Sequence, residues 1–147
     1  MADISLRAAT KDDFPAIREL TRRVNINPMG LDWRRFLLAV DSSNKMLGCG
    51  QLKPHGEHVT ELASIAVVPE ARKLGVARTI IEHLIRQAPR PLYLTCRSSL
   101  GPFYQKWGFG VVSMHAMPPY YRRLARVVAL LAPLAGEREG MLVMELK

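Results

Sequence analysis

Between Arg72 and Arg78 the chain reads Arg-Lys-Leu-Gly-Val-Ala-Arg, a basic turn with one glycine set between a β-branched apolar stretch and a segment of helical periodicity. Residue types in this order build an anion site. Gly75 lets the backbone approach a ligand closely, and the first free N–H groups of the following helix point at it. Arg72, Lys73 and Arg78 add formal charge to the positive end of the helix dipole. The ligand expected there is phosphorylated. The loop lacks the Lys-Ser/Thr ending of a Walker loop and the three-glycine spacing of a dinucleotide fold, so a different phosphate-bearing cofactor is required.

The other residues able to do chemistry are fewer. His55 and His58 flank Gly56 and Glu57 in a pattern that suggests a metal, but the cluster sits in a turn without a third ligand at a suitable distance, and no metal is expected. His83 falls mid-helix, and His115 stands beside Met114 and Met117; neither is given a catalytic role. Cys49 and Cys96 lie in apolar strand-like segments without metal-ligand spacing, and are expected as reduced, buried hydrophobes.

The elements that must position the basic turn follow from periodicity. Ile4 to Ala8 alternates as a first strand; Thr10 with Asp13 resembles a capping box before a helix whose apolar positions are Phe14, Ile17, Leu20 and Val24. Asn25 to Gly30 breaks the pattern and is a candidate substrate loop ahead of Trp33. Phe36 to Val40 and Met46 to Leu52 read as a hairpin across Asp41 to Asn44, and a turn at Pro54 to Gly56 leads to a long strand, Val59 to Val68, ended by Pro69. Gly75 to Gln87 carries Val76, Ile80, Ile81, Leu84 and Ile85 on one side, as a helix packed on a sheet does. The short strand Leu92 to Cys96 after it implies a right-handed crossover to a parallel neighbour, making the sheet mixed. Ser98 or Ser99 is expected to cap the next helix, with Phe103, Tyr104 and Trp107 in its body and Gly108 at its end. A strand over Phe109 to Ser113, a helix over Pro118 to Leu131 and a strand over Met141 to Leu146 complete the chain.

Length and composition bound the answer. At 147 residues, with 48% hydrophobic and 23% charged residues, the chain is expected to form one globular domain spanning residues 1–147. The net charge of +8 favours an anionic ligand, but Arg22, Arg23, Arg34, Arg35, Arg122, Arg123 and Arg126 fall in three separate clusters without aromatic interleaving, so a nucleic-acid partner is not expected. The longest apolar run, Val127 to Ala135, is interrupted by Pro133 and is far shorter than the roughly 20 residues that span a bilayer. It reads as a core helix or a dimer contact. No membrane association is expected, and the absence of a secretory leader with two unpaired cysteines points to the cytoplasm.

Residues 72 to 77 match the Q/R-x-x-G-x-G/A turn between strand and helix that marks the GNAT superfamily of acyl-CoA-dependent N-acyltransferases, and the stretch from Phe103 to Phe109 resembles that superfamily's second motif, a tyrosine shortly before a Gly-Phe pair. The two motifs stand in the right order, and the resemblance covers most of the chain. It implies an α/β (α+β) GNAT fold: a mixed, largely antiparallel central sheet of about six to seven strands, flanked by helices, with a splay between its two central parallel strands. It also implies acetyl-CoA as co-substrate, with the pyrophosphate on the turn formed by Arg72, Lys73, Leu74, Gly75, Val76, Ala77 and Arg78. The pantetheine arm would run along the backbone of Ile65, Ala66 and Val67.

By the same resemblance, Tyr104 is the expected acid for the departing thiolate, and Glu61 occupies the position where some members carry a glutamate base; a water relay, with Glu61 merely solvated at the start of its strand, is the alternative. Where many members have asparagine, seven residues before the tyrosine, this chain has Arg97, a candidate for a substrate carboxylate or a CoA phosphate or for a structural ion pair. Trp33 is a second candidate substrate contact. The expected reaction is N-acetylation of a primary amine on a small molecule, with an amino acid or related metabolite favoured, or on a peptide, by a monomer or homodimer. The competing expectation is an inactive CoA-binding regulatory or sensor module of the same fold.

Overall fold

The structure, a computed structural model, describes residues 3–135 and 140–147. Seven strands form one sheet in the order β1-β2-β3-β4-β5-β7-β6. They are β1 (Ser5–Ala8), β2 (Phe36–Val40), β3 (Met46–His55), β4 (Val59–Val67), β5 (Leu92–Arg97), β6 (Gly110–Val111) and β7 (Met141–Leu146). Among the described residues, four α-helices interleave with them: α1 (Phe14–Arg23), α2 (Val76–Gln87), α3 (Gly101–Gln105) and α4 (Pro119–Ala135). β4 and β5 pair in parallel, as the crossover through α2 requires, and the β1/β2, β2/β3, β5/β7 and β6/β7 ladders are antiparallel. The parallel ladder is short, joining Thr60 to Leu92 and Glu61 to Tyr93.

The chain divides into two compact units, Met1–Lys53 with Leu62–Ala88, and Pro54–Glu61 with Pro89–Lys147. In the first, Ile17, Leu20, Phe36, Leu38, Val40, Cys49 and Ala66 form a buried cluster, against which Phe14, Val24, Trp33 and Met46 pack. The α1 stripe read from the sequence is the face that enters this core. The box at its start forms: Thr10 N–H donates to Asp13 Oδ2 at 2.7 Å. Arg7 donates to both oxygens of the same carboxylate, at 2.8 and 3.0 Å, and so ties β1 to the head of α1.

α2 buries Val76, Ile80, Ile81 and Leu84, and what lets it lie close to the sheet is a pair of glycines in β3. A Cβ on Gly48 would fall 2.8 Å from both the Ala66 carbonyl oxygen and Val76 Cγ1; one on Gly50 would fall 2.6 Å from Ile65 Cδ1 and 2.9 Å from Ile80 Cγ2. Side chains at these positions would hold the helix off.

In the second unit the core consists of Tyr93, Tyr121 and Val143, with Val59, Val112, Met117, Leu124 and Met141 around it. Only the first turns of α4 reach that core. Val127, Leu130, Leu131 and Leu134 are exposed, so the Val127–Leu134 stretch is not the core helix that its apolarity suggested, and the helix continues through Pro133 to Ala135. A helix of this length presents more turns than the small unit can cover.

Three local expectations also shift. β3 continues through Pro54 to His55, and the turn is confined to residues 56–58, because Pro54 occupies an exposed strand position where its missing N–H is tolerated. Ser98 and Ser99 lie inside a 3-10 turn, Ser98–Leu100, and the N-cap of α3 is Leu100. The strand expected over Phe109 to Ser113 is reduced to Gly110–Val111.

Gly48→Val should lower stability by about 1–3 kcal/mol in chemical denaturation, since the carbonyl it meets belongs to backbone. The Arg7 guanidinium holds the Asp13 carboxyl well below the usual carboxylate range. A carboxylate depressed on folding stabilises above its unfolded pKa, near 3.9, and that contribution is lost as pH falls toward its folded value. Asp13→Asn is therefore expected to cost about 1.5–3 kcal/mol at pH 7, and the gap to the natural protein should narrow below about pH 4.

Candidate active site

In the first unit, β4 delivers the chain to Pro69–Ala71, a 3-10 turn, and from there to the basic turn ahead of α2. Two residues in the turn adopt left-handed backbone: Lys73 with φ 68° and Gly75 with φ 81°. Only glycine takes that conformation without steric cost, and the space where a Cβ would stand on Gly75 is open to 4 Å. The first intrahelical bond runs from Thr79 N–H to the Gly75 carbonyl at 3.0 Å, so the N–H groups of Val76, Ala77 and Arg78 precede the helical ladder. Val76, 1% exposed, anchors the turn in the core, while Arg72, Lys73, Leu74 and Gly75 are exposed. Arg78 differs from its neighbours: its Nε donates to Glu82 Oε1 at 2.8 Å, committing its charge along the helix.

Upstream of the turn, Ile65 and Val67 are half-buried and Ala66 is buried. Ser64 interrupts the strand with φ 59°, a conformation uncommon for a residue other than glycine. It is gripped from β3: Gln51 Nε2 donates to Ser64 Oγ at 2.9 Å, and Cys49 Sγ donates to the Ser64 carbonyl at 3.7 Å. Gln51 is fully buried and also donates to the Gly30 carbonyl at 3.3 Å, while Lys53 Nζ donates to Met29 O at 3.1 Å. The candidate substrate loop is thus tied to β3. Between it and α1 opens a cleft of about 790 Å³, lined by Phe14, Arg18, Arg22, Ile26, Pro28 and Leu31 among others. Trp33 is half-buried, packs against the first core and carries the Arg34 guanidinium 5.5 Å from its ring centre.

The second unit holds Tyr104, Glu61 and Arg97. Tyr104 lies on α3 in an aromatic group, 5.0 Å from Phe103, 6.1 Å from Phe109 and 6.3 Å from Trp107 between ring centres. Burial, reinforced by the Cys96 thiol, pushes its phenol up to about 12, so it stays protonated across the physiological range. Arg97 ends β5 opposite Met141 and is exposed.

Glu61 is not a solvated glutamate. It is 9% exposed, and its Oε1 lies 2.5 Å from His55 Nε2 across the β3–β4 turn. The His55 ring stacks on Tyr120, 3.8 Å between centres at 19°, and meets Tyr121 edge-on at 6.0 Å. The Tyr121 hydroxyl is buried without a hydrogen-bond partner of good geometry. Burial first, and the Glu61 charge second, push both the Tyr120 and Tyr121 phenols up. His55, Tyr120 and Tyr121 fall in segments expected to border the acceptor, Pro54 to His58 and His115 to Arg123, but the sequence reading gave none of them a catalytic role. The available signal was a histidine six residues before the glutamate, a hairpin separation.

Arg22, Arg23, Arg34 and Arg35 have carboxylate neighbours, in Glu19, Glu70 and, for the last two, Asp32, so two of the three basic clusters are locally compensated. Among the described residues, no group of three or more His, Cys, Asp and Glu side chains is arranged to hold a metal, and no helix is long and apolar enough to cross a membrane.

The turn and strand that would receive a phosphorylated cofactor fall within residues 4–109, which match the acetyltransferase (GNAT) family model. The chain belongs to the GNAT acetyltransferase family. Its fold is shared with GNAT structures that hold coenzyme A. N-acetylglutamate synthase from Neisseria gonorrhoeae, complexed with coenzyme A and L-arginine, superposes with a TM-score of 0.74 at 24% identity over 97% of this chain. This chain spans only 33% of that one. The Rv2747 protein of Mycobacterium tuberculosis, in complex with CoA, gives 0.72 at 20% identity, covering 97% of this chain and 98% of its own. The ribosomal-protein-S18-alanine N-acetyltransferase of Escherichia coli gives 0.66 at 17% identity, with 98% and 93% covered. No match to the chain is found among curated proteins.

Within this GNAT chain, if the basic turn is the anion site, Gly75→Val should weaken binding of CoA, used as the probe ligand, about tenfold in calorimetric titration, equivalent to about 1.4 kcal/mol. A valine would leave the left-handed region that Gly75 occupies and turn the backbone N–H groups away.

Proposed function

We propose that the chain, acting as a single domain, moves the acetyl group of acetyl-CoA to a primary amine of a small molecule or peptide, with an amino acid or related metabolite favoured. The observation that carries this reading is the basic turn. In a family defined by acetyl transfer, this chain keeps a left-handed glycine, three N–H groups ahead of the helical ladder and two exposed cations, Arg72 and Lys73, at one helix start. Those groups suit a pyrophosphate. The backbone of Ile65, Ala66 and Val67 would carry the pantetheine arm as an added strand, and the residues from Arg72 to Arg78 the phosphates.

Amine acylation requires removal of an ammonium proton and stabilisation of a departing thiolate. Tyr104 serves the second need. A phenol near 12 is a weaker acid than a thiol, whose ordinary value is about 8.5, so Tyr104 acts by donating a hydrogen bond to the sulfur rather than by surrendering its proton outright. Glu61 serves the first, through the partner it holds. Arg97, exposed at the end of β5, would meet an acceptor carboxylate, and Trp33 would border the acceptor. Two free cysteines support a reducing compartment such as the cytoplasm, with the protein a monomer or homodimer.

Thiol release from acetyl-CoA should depend on an added amine when a panel of amino acids, polyamines and peptides is screened. Binding of acetyl-CoA with no turnover on any member would instead make the chain a CoA sensor. Tyr104→Phe should lower kcat about 10²-fold with CoA affinity unchanged; an unaltered rate would remove Tyr104 from the reaction.

A further inference from the structure

Glu61 cannot act as an isolated carboxylate base, because its Oε1 already contacts His55 Nε2 at 2.5 Å and both side chains are nearly buried, 12% and 10% exposed. The imidazole is equally constrained. It is stacked face to face with Tyr120 and edge-on to Tyr121, and so cannot swing away from the carboxylate without breaking both contacts. A neutral ring that donates from Nε2 to a carboxylate carries its lone pair on Nδ1. The groups facing the pair are the Tyr120 and Tyr121 hydroxyls from α4, with Tyr93 of β5 behind Tyr121, 5.4 Å between ring centres. All three phenols are pushed up, hence neutral, and none competes for the proton.

We propose that His55 is the proton acceptor for the incoming amine and that Glu61 is its positioning residue, fixing the tautomer and ring plane and stabilising the imidazolium that forms. This rests on the acetyl-transfer reading above. The ammonium gives one proton to His55 Nδ1, and the amine nitrogen forms its bond to the thioester carbonyl carbon. The carbon–sulfur bond then breaks, the leaving thiolate takes the second nitrogen proton, and His55 returns its own to solvent. One proton is released per acetyl group transferred. Histidine suits the task because its exchange lies nearest neutral pH, where proton transfer in both directions is easy. An ordinary carboxylate, near 4.3, is poorly matched to an ammonium.

The two assignments separate in the pH dependence of kcat/KM for an amine that supports turnover. His55→Gln should cost about 10²–10⁴-fold and abolish the acidic limb, while CoA affinity stays unchanged and reports an intact fold. Glu61→Gln should slow the reaction yet keep an acidic limb. The reverse pattern, with the limb lost in Glu61→Gln and retained in His55→Gln, would make Glu61 the base and overturn the inference. Nitrogen NMR of histidine-labelled protein gives a readout independent of turnover. His55 should be a single tautomer protonated at Nε2, and a ring protonated at Nδ1 when neutral would contradict the proposal. If no amine is acetylated, the acetyl-transfer reading fails by itself, and the tautomer still decides the arrangement of the pair.

Discussion

The register of the β3–β4 hairpin is the constraint on which the site depends. Side chains along a strand alternate between faces, so a one-residue slip would send every one of them to the wrong side. The observed hairpin brings His55 onto Glu61, Gln51 onto Ser64 and Gly48 close to the Ala66 carbonyl. β4 contributes to both units: Val59 to Glu61 belong to the second, and Leu62 to Val67 to the first. The same strand therefore carries Glu61 at its start and, at its end, the residues proposed to face the pantetheine arm. Ser64 breaks the strand's regularity between them, and it is held there by Gln51 and Cys49 rather than by its own preference.

Much of this was legible in the residues. The basic turn announces itself because its glycine, its cations and the helix after it are contiguous, and contiguous chemistry survives folding. The α1 and α2 stripes, the Asp41–Asn44 turn and the parallel crossover were readable for the same reason: each is a local pattern with a period of its own. The glutamate at position 61 could be singled out by its place on the strand, but its environment could not. Pro54 and Gly56 suggest a turn that begins two residues too early, which leaves His55 looking like a loop residue instead of the last residue of β3, with its ring on the Glu61 carboxylate. Tyr120 and Tyr121 come from a helix some sixty residues later, and only tertiary packing brings them onto the imidazole.

The glycines of β3 teach a related lesson. Gly48 and Gly50 flank Cys49 in a segment that reads as an ordinary apolar strand, yet each marks where α2 or the next strand approaches too closely for a side chain. The exposed half of α4 errs in the opposite direction. Apolar residues at helical spacing usually mean burial, but Leu130 and Leu134 are 75% and 86% exposed, because the core that accepts Tyr121 and Leu124 ends before them. Periodicity predicts that a face exists, not what covers it.

Charge in this protein is mostly compensated where it is dense and uncompensated where a ligand is expected. Arg22, Arg23 and Arg78 are each drawn to a glutamate, whereas Arg72 and Lys73 stand exposed beside the unladdered N–H groups of α2. The most direct test of the account is amide NMR of the protein titrated with CoA. Val76, Ala77 and Arg78 should show the largest shifts and gain protection from exchange; binding that leaves these amides unmoved while perturbing others would contradict it.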